Sequence, residues 1–553
     1  MAASDPGAEL GRMLTRLKEH SGLSYQTLGS RTYLSKSAVH RYCAGSSTPA
    51  DFGTVERIGR ATGAGRSELE QLFQLWSRAA ARTDAVPTAV AHHRADGDVP
   101  PADRDPLPAR PAARRSRRLP MVLSLIMLLG LVVVLNGQRG TAGRGAAAET
   151  AKAQWISGPT WTLPAEPVGG PLFGVTINSK TGHMPGFPVG AVRLWDSGTL
   201  WAALQPEPGR FDWTLLDRQV EGAEAASLPV LFVLGGTPGW AAPAGPRAPY
   251  PEDARAAPPD DPARWDAFVS ALVHRFAGRI EAYELWVLAT DRRFYSGSVE
   301  NLVDMTRRAN KIIKRTDPRA TVVCPGMGNL WTAEGRQLLR RFAELGGYDH
   351  CDVAGIKLYQ RSAADPPETM LQLTTVVDEI LHTVGVHPRI WNTGTTYTIP
   401  LQGRLDEATA RNYAVRFYLV GLLARKTFLE RMYLYNWGGA KVPIVLQVDG
   451  GSPTPAAQAI ATVQRWLAGA QVYSCGHGPA IDLPPNAWQC RFTLPAGTHR
   501  TQAAIMWTHE GAASLTAAVD MVSVQHLDGT SAPVSGGSPL TIGEDPVLIR
   551  YNS

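Results

Sequence analysis

Cysteine is scarce: five residues in a chain of 553, too few for the disulfide-built frameworks that hold small secreted domains together. Net charge is missing from most of the chain. Residues 1–118 hold 18 Lys+Arg against 12 Asp+Glu, which leaves 37 against 37 for everything after them. The whole formal charge of +6 is therefore N-terminal, and that is where nucleic acid or an anionic membrane face is the expected partner. Long apolar runs are absent with one exception, residues 119–135 (LPMVLSLIMLLGLVVVL), 17 residues without a charge. A signal peptide is the competing reading, but such peptides begin near residue 1 and more than a hundred residues precede this run, which favours a membrane span. Hydrophobic residues make up 44% of the chain, an ordinary share for globular material, and the length implies two to four folded units.

The apolar run is at the lower end of what spans a bilayer. Arg114, Arg115, Arg117 and Arg118 stand directly before it, and Arg139 and Arg144 follow more sparsely. The positive-inside rule then predicts a transmembrane helix over 119–136, with the N-terminus cytoplasmic and the C-terminal part extracytoplasmic in a single-pass protein of the cell membrane. Cys43 is alone before the run, while Cys324, Cys351, Cys475 and Cys490 lie beyond it. Cys475 and Cys490 bracket a short Gly/Pro-containing stretch and are the expected disulfide; Cys324 and Cys351 are left open between a second bridge and two buried thiols.

Residues 1–80 carry helical periodicity through Leu10, Leu14, Leu17, Leu28, Val39, Val55, Ile58, Leu69, Leu72, Phe73 and Trp76. Ser24 and Ser35 are good N-caps, and residues 29–33 supply a short connection between two helices. The stretch GLSYQTLGSRTYLSKSAVHRYCAG, with Gly45 closing the second helix, resembles the phage-repressor-type (Xre-like) helix-turn-helix family. The resemblance makes the helix from Ser35 to Cys43 the recognition helix, with Lys36, Ser37, His40 and Arg41 exposed between inward Ala38 and Val39. Tyr25, beside Gln26, falls where the family often has a phosphate-contacting glutamine. Tyr25, Gln26, Ser35, Lys36, Ser37, His40 and Arg41 are the expected DNA contacts. Residues 1–80 hold only 10 Lys+Arg against 7 Asp+Glu, so useful affinity calls for a homodimer or for clustering. Residues 81–118 and 137–153 read as linkers without periodicity or enough apolar surface to fold.

From residue 171 onward, short apolar β-rich runs alternate with longer amphipathic stretches, the signature of repeated βα units. Strands are expected at 172–177, 191–195, 229–234, 283–288, 321–324, 352–358, 389–392 and 431–435. Eight units predict a (β/α)8 TIM barrel over residues 154–446. A C-terminal helix and β-sandwich follow over 447–553, completed by 154–163. The predicted fold is thus multidomain: an all-α helix-turn-helix domain, one transmembrane helix, and a barrel with an appended β-sandwich.

The runs AVRLWDSGTLWAALQPEPGRFDWTLLD, LFVLGGTPGWA, YELW, RIWNT and PTPAAQAIATVQRWLAG resemble the retaining glycoside hydrolases of clan A, family 39 in particular. In that family the fourth strand ends Trp-Asn-Glu-Pro, its Glu being the acid/base, and the seventh ends near Thr-Glu, its Glu being the nucleophile. Here the matching positions are Trp286-Val287-Leu288-Ala289 and Thr393-Gly394. Retaining hydrolysis needs two carboxyl groups about 5 Å apart, and Leu288 and Gly394 supply neither. Glu284, four residues before Leu288, would lie about 13 Å deeper along an extended strand and reads as structural. Lys357, where the family commonly has histidine, either pairs with a neighbouring acid or meets an anionic ligand such as a uronic acid. Asp196, Trp240, Lys357, Tyr359, Tyr397 and Trp437 are the expected ligand-binding residues, the aromatics as stacking surfaces for sugar rings.

Together these features predict a membrane-anchored DNA-binding regulator whose catalytically inactive, glycosidase-like domain senses a carbohydrate or cell-envelope ligand, with no metal or cofactor. Two other readings stand beside it: an envelope scaffold whose helix-turn-helix domain binds protein, and a hydrolase that uses non-standard acids.

Overall fold

The computed structural model describes residues 5–83, apart from 33, 35, 50 and 51, and residues 160–552, apart from 251. They form two compact units.

The N-terminal unit is five helices: α1 (Pro6–His20), α2 (Tyr25–Thr32), α3 (Lys36–Cys43), α4 (Phe52–Ala61) and α5 (Arg66–Thr83). Asp5 caps α1 by accepting from the Gly7 N–H at 3.3 Å, and the Ser24 hydroxyl accepts from the Thr27 N–H at the start of α2 at 3.0 Å. Leu10, Met13, Leu14, Leu17, Leu28, Val39, Cys43, Val55, Ile58 and Leu72 form one buried core, with Leu69 and Trp76 packed against it. Gly45 ends α3 at φ +69°, so that the Ser46 N–H reaches the Arg41 carbonyl at 3.1 Å. A Cβ on Gly11 would lie 2.5 Å from the Gly45 nitrogen; α1 meets the end of α3 through two residues that have no side chain. The connection between α2 and α3 differs from the expected 29–33. The α2 helix runs on through Gly29, which is buried, to Thr32, whose hydroxyl donates back to the Leu28 carbonyl at 2.7 Å.

In the C-terminal unit β1 (Trp161–Pro167) precedes eight parallel strands: β2 (Phe173–Ile177), β3 (Ala191–Leu194), β4 (Val230–Val233), β5 (Ala282–Glu284), β6 (Thr321–Val323), β7 (Val353–Ile356), β8 (Arg389–Asn392) and β9 (Leu429–Trp437). They close into a barrel in chain order, β9 pairing with β2. Helices cover it, among them the amphipathic α6 (Thr214–Ala225), α7 (Pro262–Phe276), α8 (Val299–Thr316), α9 (Ala333–Glu344) and α10 (Leu371–Val384), and α11 (Glu407–Leu423), which is buried nearly all round. One interior layer is Ala191, Leu231, Ala282, Val323, Val353, Trp391 and Tyr433. Side chains alternate along a strand, so residues two positions further on, including Arg193, Val233, Glu284, Thr393 and Tyr435, form the next layer toward the C-terminal mouth.

The expected strand 283–288 is cut short. Trp286 (φ +99°) and Leu288 (φ +42°) take left-handed backbone, which breaks the pleat after Glu284. The spacing of an extended strand therefore does not separate Glu284 from Leu288.

After α12 (Pro455–Trp466) come β10 (Gln471–His477), β11 (Ala487–Ala496), β12 (His499–Thr508), β13 (Ala513–Thr516), β14 (Met521–Gln525), β15 (Ser531–Pro533), β16 (Pro539–Ile542) and β17 (Val547–Tyr551). The seven-stranded sheet has the order β1-β10-β11-β12-β17-β14-β15, and β13 pairs with β16. Cys475 and Cys490, opposite each other on β10 and β11, are joined by a disulfide, as are Cys324 and Cys351. Arg416 of α11 ties barrel to sandwich, donating to Glu368 at 2.9 Å and to the His509 carbonyl at 3.0 Å.

The expected transmembrane helix over 119–136 lies outside the described residues. Among the described residues no helix is long and apolar enough to cross a membrane. The longest, α5 and α8, have 18 residues each but carry charged side chains throughout. The expected single-pass cell-membrane fold is corrected to what the described residues show, a helix-turn-helix unit and a barrel with its sandwich, with no membrane-crossing helix among them.

Candidate functional site

In the N-terminal unit, Lys36, Ser37, His40 and Arg41 are exposed on α3, and Val39 between them is buried. Gln26 is exposed on α2, while Ser35 lies outside the described residues. Tyr25 is half-buried: its ring meets His40 edge-on at 5.2 Å, and the Lys18 ammonium sits 4.7 Å from its centroid. Tyr25 thereby links α2 to α3 and α1.

The barrel's mouth holds a cavity of about 230 Å³. Its floor is polar, with Arg193, Asp196, Lys357, Thr393, Thr395 and Tyr435; its walls are Trp195, Tyr250, Leu288, Phe294 and Tyr397. Of the expected ligand-binding residues, Asp196, Lys357 and Tyr397 meet here. Tyr359 lines a neighbouring pocket with Gly394, Thr395 and Tyr435. Trp437 and Trp240 are placed elsewhere. Trp437 is buried with its indole N–H on the Gln447 side chain at 2.9 Å, and Trp240 gives its N–H to the Gln205 carbonyl at 2.9 Å and its ring to Arg264. Neither lines the cavity.

Under the cavity is a buried ionic cluster. Glu284 accepts from Arg193 Nε at 2.7 Å on one carboxylate oxygen, and on the other from Lys357 Nζ at 3.1 Å and the Thr393 hydroxyl at 3.1 Å. Lys357 Nζ also donates to the Thr393 carbonyl at 2.8 Å and contacts its hydroxyl oxygen at 2.9 Å. An ammonium has three donors, and all three point at these neighbours. Of the two roles left open for Lys357, the structure shows the pairing with a neighbouring acid. Burial works to raise the Glu284 carboxyl, but the Arg193 and Lys357 charges and their hydrogen bonds outweigh it and hold it below its ordinary range. Burial, then the adjacent Arg193 charge, draws Lys357 down to about 7 despite Glu284. Burial raises the Asp196 carboxyl, opposed by its hydrogen bond from the Tyr435 hydroxyl at 2.6 Å and by the Arg193 and Lys357 charges.

Leu288 packs into an apolar cluster with Trp195, Leu200, Val233, Val287 and Phe294. Gly394 stands at φ +112°. Sequence reasoning missed Arg193, Thr393, Thr395 and Tyr435. Arg193 had a legible signal, a single charge inside the apolar run AVRLW, as did Glu284 inside AYELW.

Residues 9–72 match the family model of a helix-turn-helix domain. A search of curated proteins gives no match. Among solved structures, the chain is similar to a family 39 glycoside hydrolase from Bacteroides cellulosilyticus WH2, with 17% identity over 70% of this chain and 81% of that one and a TM-score of 0.52. It is also similar to a monomeric beta-xylosidase from Caulobacter crescentus CB15 (12% identity, 70% and 97% covered, TM-score 0.48) and to a GH30 endoxylanase from Clostridium papyrosolvens C71 (14%, 71% and 98%, 0.47). The first of these establishes the fold of the C-terminal unit, a barrel like that of family 39, joined in one chain to an N-terminal helix-turn-helix domain.

Proposed function

We propose that this protein is a DNA-binding transcriptional regulator whose barrel binds a carbohydrate without cleaving it. The observation that carries the reading is the mouth of the barrel. The two positions matching the catalytic glutamates of the resembling hydrolases hold an aliphatic side chain and a glycine; of the carboxylates at and below the cavity, Glu284 has both oxygens committed to Arg193, Lys357 and Thr393, and Asp196 accepts from the Tyr435 hydroxyl. A general acid must be free to give up a proton to the leaving group, and the Arg193 and Lys357 charges hold the Glu284 carboxyl below its ordinary range. Aromatic and aliphatic walls around a polar floor suit a single ring, since the cavity is below the ~300–1,000 Å³ of drug-sized sites. A receptor that hydrolysed its ligand would destroy its own signal. The exposed Lys36 and Arg41 on α3 support DNA as the partner of the N-terminal unit, through phosphate or guanine contacts.

A glycan array read with the full chain, followed by mass spectrometry of every hit after incubation, tests this. Binding with the ligand recovered at unchanged mass is expected. Turnover would favour a hydrolase with non-standard acids, and a blank array would remove the receptor reading.

A further inference from the structure

We infer that the floor of the barrel-mouth cavity is a carboxylate-binding site, organised by Arg193 beside the space left open at Gly394. This rests on the reading of the cavity as a ligand site and narrows the ligand to one bearing a carboxylate, either on a sugar ring or as a free small organic acid.

Three observations lead there. First, the carboxylates of the floor are already committed to other partners. Arg193 and Lys357 face one carboxylate, Glu284, whose acceptor positions they and Thr393 fill. Asp196 already takes the Tyr435 hydroxyl, and burial raises its carboxyl against the Arg193 and Lys357 charges. Second, Arg193 is 2% exposed, yet its Nη2 has no hydrogen-bond partner, and the buried Thr395 hydroxyl is equally unpartnered. Both residues line the cavity. A buried donor left unpaired carries a desolvation cost, larger for a guanidinium than for a neutral group; an arriving carboxylate removes it with a charge-assisted bond. Third, a Cβ built on Gly394 would have as its nearest neighbours the Thr176 hydroxyl, itself unpartnered, and the Tyr433 carbonyl, each at 3.9 Å. Both lie at ordinary van der Waals distance and no closer, so Gly394 leaves room beside an unpartnered hydroxyl in the pocket that shares Thr395 and Tyr435 with the cavity. Lys357 is not the gripping residue, because Glu284 and Thr393 already take its three protons.

Calorimetric titration of the full-length protein with glucuronate, galacturonate, their methyl esters, glucose, galactose and acetate tests the inference. The acids are expected to bind about 10-fold or more tightly than their esters, the ratio of a charge-assisted to a neutral hydrogen bond. Leu288→Glu, which adds a negative charge to the cavity wall, is expected to abolish that preference, while the uncharged Leu288→Gln keeps it. Thr395→Val, a milder change than any at Arg193, is expected to weaken the acids more than the neutral sugars. Acetate binding as tightly as the sugar acids would assign the site to a free small acid. Esters binding as well as acids would overturn the carboxylate inference and leave the carbohydrate reading standing. No binding by any probe would overturn both.

Discussion

Replacing Glu284 with glutamine separates a structural role from a chemical one. Its side chain is fully buried and is bonded by Arg193, 3% exposed, and Lys357, 1% exposed. Removing its charge leaves Arg193 in the barrel interior without its anion, together with Lys357 as far as that stays protonated, and breaking a buried pair in this way costs roughly 3–5 kcal/mol. Solvent screening takes little off this, because the three side chains are at most 3% exposed. Glu284→Gln is therefore expected to lower the barrel's unfolding free energy by about 3 kcal/mol or more, read as a fall in the calorimetric transition of the C-terminal unit. Lys357→Met alone leaves a single cation, Arg193, facing Glu284 and should cost less. The double variant should cost less than the sum of the two, since each removes the other's partner. The pH dependence has a definite sign. The Glu284 carboxyl is held below its ordinary range, so its contribution is present above the unfolded carboxylate range and lost as pH falls through the lowered value. A loss below ~1 kcal/mol in Glu284→Gln would refute the reasoning, since strained catalytic acids are the ones whose removal is harmless or stabilising.

Lys36→Ala and Arg41→Ala should each weaken DNA binding and reduce the slope of log affinity against log salt by about 1 if they neutralise phosphate, or cost about 1–3 kcal/mol at one base position if they read guanine; binding titrations across salt and sequence distinguish the two. Gly11→Ala, whose Cβ would lie 2.5 Å from the Gly45 nitrogen, should destabilise the N-terminal unit by roughly 1–3 kcal/mol in a circular-dichroism melt. Replacing Cys475 and Cys490 by serine opens a link of sequence separation 15 and should cost about 3 kcal/mol in denaturant unfolding, with no further loss on adding reductant for that bridge.

Much of the barrel was legible because each of its strands is buried on both sides and so reads as a short apolar run between amphipathic helices. The helix-turn-helix core was legible for the matching reason, since Leu10, Leu14 and Leu17 recur at helical spacing and share one face. The end of β5 was not. Positive φ at Trp286 and Leu288 has no sequence marker when the residue is not glycine, and it undid the extended-strand distance from Glu284. The α2–α3 turn was misplaced because Gly29 looks like a helix stop, yet a buried glycine inside a helix marks close packing. Trp240 and Trp437 read as stacking surfaces because aromatics near strand ends resemble them, while their indole N–H groups in fact bond Gln205 and Gln447. The Arg193–Glu284–Lys357 cluster joins residues 91 and 73 positions apart, and only the closed barrel brings them together.

The central claim is that one chain couples a non-cleaving carbohydrate site to DNA. The most direct test is the affinity of the full-length protein for its selected operator, measured with and without a bound carbohydrate whose mass is checked afterwards. Coupling of the usual size predicts a change of about 5–150-fold with the carbohydrate recovered intact. An operator affinity that ignores a saturating carbohydrate, or a carbohydrate recovered as hydrolysis products, would contradict the account.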